Sequence, residues 1–371
     1  MNHVQRNALP KEKSIDDSLC IHNVSEYLSR IRTCINKRQQ EDCIVVYRGE
    51  PDLYERPCRP NIFRKGVLNG NRFFEKNLFD TMRQNKLTGE NRYLDNAIDA
   101  QHGEFPSRLL DVSYNCLIAL YFAVTPYYHF DEDSMDSKDG MVYLFFIDEI
   151  FSPSARNTND NYNAMINRDQ EWYQHNALFW NNHKFIDHAK LNSRIIAQQG
   201  AFILFPGEEP RDLPEYLYCG IRIPKEAKPL IRQELNQFFG IHTGSVYPEI
   251  INLVKELSGK SRRLNTLEFT CENELRYGMK QLKKELIYYI DYAIEQRNSE
   301  HMGRILIHME RRLACYRQGI KEFQEYCKHN KVVPDEMIDE IINQFNQYVR
   351  QFSDIMEEYH IGELSWRTLI I

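Results

Sequence analysis

The sequence has no apolar run long enough to cross a membrane. Its longest, Cys116–Val124, has nine residues, against the roughly 20 that a spanning helix needs. It has no Cys-x-x-Cys pair, and its nine cysteines are scattered from Cys20 to Cys327. That odd, scattered set fits reduced thiols rather than a disulfide framework. No GxGxxG, P-loop, His-Glu-x-x-His or Gly-x-Ser-x-Gly occurs, so the common dinucleotide, NTPase, zinc-protease and hydrolase signatures are missing. Glycine and proline are sparse, 16 and 14 in 371 residues, and tryptophan occurs three times. Collagen-like and low-complexity classes are thereby excluded. Neither sign of charge dominates: 47 Lys and Arg against 53 Asp and Glu leave −6. Any nucleic-acid contact must therefore be local.

What is present is a core-forming chain. It is 42% hydrophobic and 27% charged, with 22 Tyr and 20 Phe. Residues 1–20 carry three acids and three bases and no apolar centre, so the reading is a cytoplasmic protein with no membrane contact. Three parts are expected: a polar segment with one helix over 1–42, a mixed domain over 43–260, and a helical bundle over 261–371.

In the first part, Val24, Tyr27, Leu28, Ile31 and Ile35 fall on one face of a helix over 22–38. Cys43–Tyr47 reads as a buried strand that enters a turn at Arg48-Gly49. Helices are expected over 72–87, 91–101 and 115–123, the last capped by Ser113. Strands are expected at 141–147, 200–205 and 219–223. Residues 152–165 are rich in Asn and Ser and read as a loop. The stretch 131–139 holds five acids and one lysine and reads as a solvated loop, since its spacing fits no calcium loop. After about residue 262, heptad spacing takes over. Leu275, Met279, Leu282, Leu286, Tyr289 and Ala293 form one seam. A second runs Leu306, Met309, Leu313, Tyr316, Ile320, Phe323 and Cys327. A third runs Ile338, Ile342, Phe345, Val349, Phe352 and Met356, with Pro334 opening its helix. The pattern fits either a bundle closed on itself or a docking module.

Three segments place polar side chains beside apolar strands, where burial is costly unless they are used. The first is Tyr47-Arg48-Gly49-Glu50. A guanidinium at a strand end is an anion seat, and glycine admits close backbone approach. A structural ion pair is the competing reading. The second runs from Gln101 and His102 through Ser107, Arg108 and Asp111. Arg108 and Asp111 can form a buried pair, while Gln101 and His102 can face a ligand. The third is Arg194 to Phe202, with Gln198 and Gln199 ahead of Gly200. His175, His183 and His188 lie close in sequence, but nothing completes a metal set around them, and no metal is expected.

Together these segments resemble the FRG domain, named for its Phe-Arg-Gly motif, here Tyr47-Arg48-Gly49. Gln101, His102, Pro106, Ser107, Arg108, Leu109, Leu110 and Asp111 match its second block, with Glu104 and Ser107 replacing the family's glycine and threonine. Arg194, Gln198, Gly200 and Phe202 match a third. Phe239-Gly240-Ile241 and Tyr247-Pro248 match a later one. The resemblance spans roughly 43–258 and leaves the helical remainder aside.

FRG domains look like members of the ADP-ribosyltransferase fold. The resemblance therefore implies an α+β fold with a split β-sheet core and flanking helices, followed here by the α-helical bundle. It implies NAD as co-substrate, with Arg48 holding the dinucleotide and Gly49 offering its backbone to the nicotinamide carboxamide. Tyr47, Gln101, Ser107, Arg108 and Gln198 would complete that binding set, with Ser107 near the nicotinamide ribose. Where many such transferases carry a late catalytic glutamate, this chain offers Gln198 and Gln199. Glutamine bonds a hydroxyl but is no base. Acid–base work then falls to His102 or Asp111, or to Glu50, with Gln199 assisting. The implied role is transfer of ADP-ribose to RNA, as a toxin in bacterial phage defence, with an antitoxin and a chaperone as partners. Transfer to protein, NAD hydrolysis and a non-catalytic nucleotide sensor are the alternatives. Arg56, Arg59, Arg64, Lys65 and Arg72, and Lys260, Arg262 and Arg263, are the basic clusters open to RNA or simply solvated.

Overall fold

The computed structural model describes residues 20–371 except 39–42, 65–67, 69–70, 89–91, 103–104, 126–134, 189–192, 208, 210, 263, 265–269, 296–300, 331–333 and 362–365. The chain divides into two compact units, Met1–Arg262 and Arg263–Ile371.

The first unit is mixed α+β. It opens with α1 (Val24–Lys37) and β1 (Ile44–Glu50), then α2 (Asn61–Arg64), α3 (Phe74–Gln84) and α4 (Tyr93–His102). Next come β2 (Leu109–Ser113), α5 (Cys116–Val124), β3 (Gly140–Ile147), α6 (Arg156–Asn167), α7 (Gln170–His175), α8 (Ala177–Asn181) and β4 (Lys184–Ile186). It ends with α9 (Ser193–Gln198), β5 (Gly200–Leu204), β6 (Tyr218–Ile223), α10 (Lys228–Phe239), α11 (Thr243–Val246) and α12 (Ile250–Ser261).

The described strands form one six-stranded sheet, ordered β4-β5-β2-β1-β3-β6. Every strand pair is antiparallel. The split sheet expected from the sequence is thus a single sheet here, but its middle is thin. β1 and β3 pair through seven residues, from Ile44↔Ile147 to Glu50↔Met141. β1 and β2 share one register pair, Tyr47↔Ser113. The two halves, β4-β5-β2 and β1-β3-β6, meet at this seam.

Alternation along the strands gives each face its own cover. Tyr47, Val142, Leu144, Phe146, Ile221 and Ile223 pack under α1, α5 and α10. Val46, Leu110, Val112, Tyr143, Phe145 and Ile203 face the other way, towards Cys58, Phe205 and Leu213. Leu109, Ile186, Phe202 and Leu204 meet Phe79, Leu94, Ile98, Tyr162 and Met165 from α3, α4 and α6.

The helix at the centre of the first cluster is α5. All but three of its nine residues are buried, so it has no wet face. Its backbone lies directly on the sheet because two strands offer glycine. A Cβ at Gly49 would fall 1.8 Å from the Ala119 carbonyl oxygen, and one at Gly140 would fall 2.3 Å from that of Ala123. Asn115 caps the helix, its side chain accepting from the Leu117 amide at 2.9 Å. Ser113, the cap expected from sequence, instead accepts from the Asn115 amide at 3.0 Å, one step too early to reach the first turn. α1 shares this core: its Val24, Tyr27 and Ile31 belong to it, and the Tyr27 hydroxyl donates to the Cys116 carbonyl at 2.7 Å.

Two further expectations are corrected. Cys43–Tyr47 does not end in a turn, because β1 runs on through Arg48 and Gly49 to Glu50. Residues 152–165 are not a loop, because α6 occupies most of them. Asn159, Tyr162, Met165 and Ile166 form its buried stripe, and the Asn159 side chain donates from Nδ2 to the Ala155 carbonyl at 3.0 Å. Of the acidic stretch 131–139, residues 131–134 lie outside the described residues. The rest is ion-paired: Asp136 with Arg232 at 2.7 Å, Asp139 with Arg222, and Lys138 with Asp52 at 2.7 Å. The fully buried Lys228 donates to the carbonyls of Pro51 and Met135 at 2.7 and 2.8 Å.

The second unit contains α13 (Cys271–Glu295), α14 (His301–Asn330) and α15 (Asp335–Glu358). Met279, Leu282, Leu286, Leu306, Met309, Leu313, Phe345, Val349 and Phe352 share one core, as the heptads require. Trp366, beyond α15, is buried against it.

Gly49→Ala is expected to cost about 3 kcal/mol or more in denaturant unfolding, since backbone rather than a pliant side chain opposes the added methyl. Gly259→Ala, whose Cβ meets nothing within 4 Å, should stabilise by about 0.5–1 kcal/mol. An unchanged midpoint for Gly49→Ala would show that α5 does not rest on β1.

Candidate functional site

Strand order brings the three motif segments together. The first lies on β1, the second ends on β2, and the third opens β5, so they occupy three adjacent strands around the seam.

Arg48 spans the seam. Residues alternate across a strand, so Arg48 shares a face with Val46 and Glu50, opposite Tyr47. Its Nη1 donates to the Asp111 carbonyl at 2.8 Å and its Nε to Glu50 Oε1 at 3.1 Å. Nη2 makes no hydrogen bond among the described residues, and the side chain is 20% exposed. Burial works against the charge, but the Glu50 carboxylate, together with the Cys58 thiol and the Asp111 carboxylate, outweighs it and raises the Arg48 pKa.

Glu50 is 1% exposed and fully used. Besides Arg48 it accepts from Arg64 Nη2 at 2.8 Å, and both of its oxygens accept from the Cys58 amide at 3.2 Å. Arg64 in turn donates to the Arg59 carbonyl at 2.9 Å and lies 4.0 Å over the Tyr54 ring. Two guanidiniums thus share the Glu50 carboxylate at a partly open surface, with the Asp111 carboxylate also acting on Arg48. With Nη2 open, that is the donor pattern of an anion seat.

The β2–β5 end of the seam is a network. The Ser113 hydroxyl donates to the Gln198 carbonyl at 2.6 Å, and the Tyr114 amide to the Gln199 carbonyl at 2.9 Å. The Tyr114 hydroxyl donates to Asp187 at 3.1 Å, and burial pushes its pKa up. The Gln198 side chain donates to the Val246 carbonyl at 3.2 Å. Gln199 is exposed and held at φ 47°, a left-handed conformation that non-glycine residues rarely adopt. Arg194 stacks 4.9 Å over Tyr247. The third segment is therefore docked on the Phe239–Pro248 stretch, where Gly240 ends α10 at φ 64°.

The second segment divides. Asp111 is exposed on β2, pointing away from the Arg48 face, which is why Arg48 meets its carbonyl and not its carboxylate. The Gln101 side chain donates to the Leu109 carbonyl. His102 ends α4, and its side chain lies outside the described residues, as does Glu104. Ser107 is fully buried, its hydroxyl accepting from the Leu109 amide at 3.2 Å. Arg108 is not paired with Asp111, as the sequence suggested. Its Nε donates to Glu75 Oε2 at 2.6 Å, and its Nη1 to the carbonyls of Phe205, Pro206 and Gly207 at 3.3, 3.3 and 3.1 Å. Tyr162 adds a hydroxyl to Glu75 at 3.2 Å. Arg108 is a buried clasp joining α3, β2 and the chain after β5, and it is enclosed with Ser107. The carboxylate that holds it is 33 residues away, and no sequence spacing announces it.

The other candidates separate. Gly49 admits α5, so close approach there is by protein backbone. The His175 and His183 rings bond separately to the Glu171 and Arg211 carbonyls, and His188 meets Asp187 through its backbone amide. No group of three metal-ligating side chains occurs among the described residues. Arg59 pairs with Asp212 at 2.8 Å and Arg64 with Glu50, so that basic cluster is partly neutralised; Lys65 lies outside the described residues.

The family model of the FRG domain matches residues 44–132. The match supports the FRG family for this segment, which holds Arg48, Glu50 and Asp111 but not Gln198 or Gln199. No curated protein and no solved structure matches the chain.

Glu75→Gln should destabilise the first unit by roughly 3–5 kcal/mol in denaturant unfolding, because it strands the Arg108 charge in the interior. Asp111→Asn should change stability by less than about 0.5 kcal/mol. The reverse ranking would restore the Arg108–Asp111 pairing.

Proposed function

With an FRG-domain match over 44–132 as premise, we propose that the seam between β1 and β2 binds NAD and that the chain transfers ADP-ribose from it to RNA. The observation that carries this reading is Arg48. Its guanidinium is fixed from two sides by Glu50 and the Asp111 carbonyl, yet keeps Nη2 for an anion. A diphosphate fits that donor set, since guanidinium forks match phosphate oxygens. The binding entropy of a free arginine is largely removed beforehand.

NAD supplies a glycosidic bond whose cleavage releases nicotinamide and leaves C1′ of the ribose open to an acceptor. The chain's part is positional and electrostatic. Arg48 anchors the diphosphate. Gln199, on its strained turn, can hold a ribose hydroxyl without acting as a base. RNA is the acceptor class proposed, and a toxin held in check by a protein partner is the biological role it suits. One observation favours a second reading, a nucleotide-binding module without turnover: the Gln198 amide is committed to Val246, and no carboxylate stands beside it on the turn into β5.

The test is incubation with NAD labelled in the adenylate, with total RNA and total protein offered separately. Label should be retained on RNA, and Arg48→Ala should lower it by about 100-fold with the thermal midpoint of the fold checked in parallel. Label on protein would change the acceptor class. No label and no free nicotinamide would leave the binding module. In the same assay Gln199→Gly should gain up to about 1 kcal/mol of stability by relieving the positive φ while losing transfer. Full transfer in that variant removes Gln199 from the reaction.

A further inference from the structure

The second unit holds a cavity of its own. α13 and α14 pack against each other, and at Gly278 they are tightly filled: a Cβ there would fall 2.9 Å from the Tyr316 ring. Nearer the start of α13 that filling is missing. Gly319 stands about one turn beyond Tyr316, and a Cβ on it would meet nothing within 4 Å. The space left is a cavity of about 560 Å³, lined by Glu274 and Leu275 from α13 and by Gly319, Glu322, Phe323 and Tyr326 from α14. The α14 residues stand three, four and seven positions after Gly319, so they share one face of the helix.

Its walls are apolar and its charge is of one sign. Leu275 and Phe323 belong to the small cluster that also holds Cys327 and Ile338. Tyr326 adds an aromatic ring that is 53% exposed. Glu274 and Glu322 are exposed at the cavity, no lysine or arginine lines it, and neither carboxylate is ion-paired among the described residues. Glu322 accepts from the Gln318 side chain at 2.8 Å, which is neutral and leaves the charge in place. Arg276, two residues after Glu274, is engaged with Glu272 and Glu340 at 3.4 and 3.5 Å. The start of α13 is capped from within, the Asn273 amide donating to the Thr270 hydroxyl at 3.2 Å.

We propose that this cavity binds a small organic cation, an ammonium group carried on an aromatic body. The volume is that of a small-molecule site. The body lies on Leu275 and Phe323, where burial of apolar surface drives binding. The ammonium stays at the mouth beside Glu274 and Glu322, and the Tyr326 ring attracts it further. An anion is repelled there, and a neutral apolar molecule leaves both carboxylates unmatched. The site uses no residue of the proposed transfer and stands apart from that reading.

The test is titration calorimetry on the full chain with three probes of one skeleton. Tryptamine, tryptophol and indole-3-propionate end in an ammonium, a hydroxyl and a carboxylate. At low salt, tryptamine should bind one to one and on the order of tenfold more tightly than tryptophol, with indole-3-propionate weaker than both. Added salt should narrow the gap. Glu274→Gln and Glu322→Gln should each weaken tryptamine by about threefold and leave tryptophol unchanged. Gly319→Leu should abolish tryptamine binding, because its side chain enters the cavity, while leucine suits a helix better than glycine. Gly303→Leu, elsewhere on α14 where a Cβ also meets nothing within 4 Å, should leave binding intact. The proposal fails if tryptamine does not bind, if the three probes bind alike, or if binding survives Gly319→Leu. The comparison of probes needs no variant, so it decides the matter even where a variant does not fold.

Discussion

The first unit depends on one close approach: the backbone of α5 lies on the sheet with no side chain between them. Gly49 and Gly140, on neighbouring strands, supply the space. The arrangement suits a wholly apolar helix, which gains most when every side is covered. It also settles the direction of β1. With Gly49 turned towards α5, Arg48 and Glu50 must point to the opposite face. The guanidinium therefore reaches the seam, and the carboxylate reaches Arg64 and the Cys58 amide. The Tyr-Arg-Gly segment is thus one device, in which the glycine fixes the layer and the arginine occupies the face that follows from it.

Buried charge is handled in two ways. Around Glu75 and Arg108 it is closed: each group is matched by the other, by Tyr162 or by backbone carbonyls, and solvent has no access. Burial opposes the Arg108 charge, and Glu75 restores it. Around Glu50 the network stays open, with two guanidiniums on one carboxylate and part of Arg48 at the surface. A closed network stabilises one conformation; an open one retains a capacity to bind. That contrast separates two arginines that look equivalent as motif residues.

The bundle was legible in the sequence because a 3.5-residue repeat of apolar side chains has few other solutions. Leu282, Leu286, Leu313, Phe345 and Val349 lie in its core as spacing required. The convergence of the three polar segments was legible only as a succession of strands; their adjacency comes from strand order, which spacing does not encode. α6 was hidden because its stripe includes Asn159, and its Asn- and Ser-rich surroundings read as loop. Arg-Gly-Glu read as a turn because the helix that demands the glycine lies about 70 residues on, at Ala119. The partner of Arg108 was hidden for the same reason, since Glu75 reaches it from another element. His102 keeps its place on α4 and nothing more.

The single register pair between β1 and β2 gives the anion seat a mechanical meaning. Where strands are joined by a ladder, one side chain adds little to their cohesion. Here the bond from Arg48 to the Asp111 carbonyl is a large share of what crosses the seam. A ligand that engages Nη2 while leaving that bond intact tightens the joint between the two half-sheets. One that draws the guanidinium away loosens it. Ligand affinity and the cohesion of the sheet are therefore reciprocal quantities: whatever strengthens the join raises affinity for the first kind of ligand and lowers it for the second. The sheet itself discriminates between anions by where they hold a single arginine.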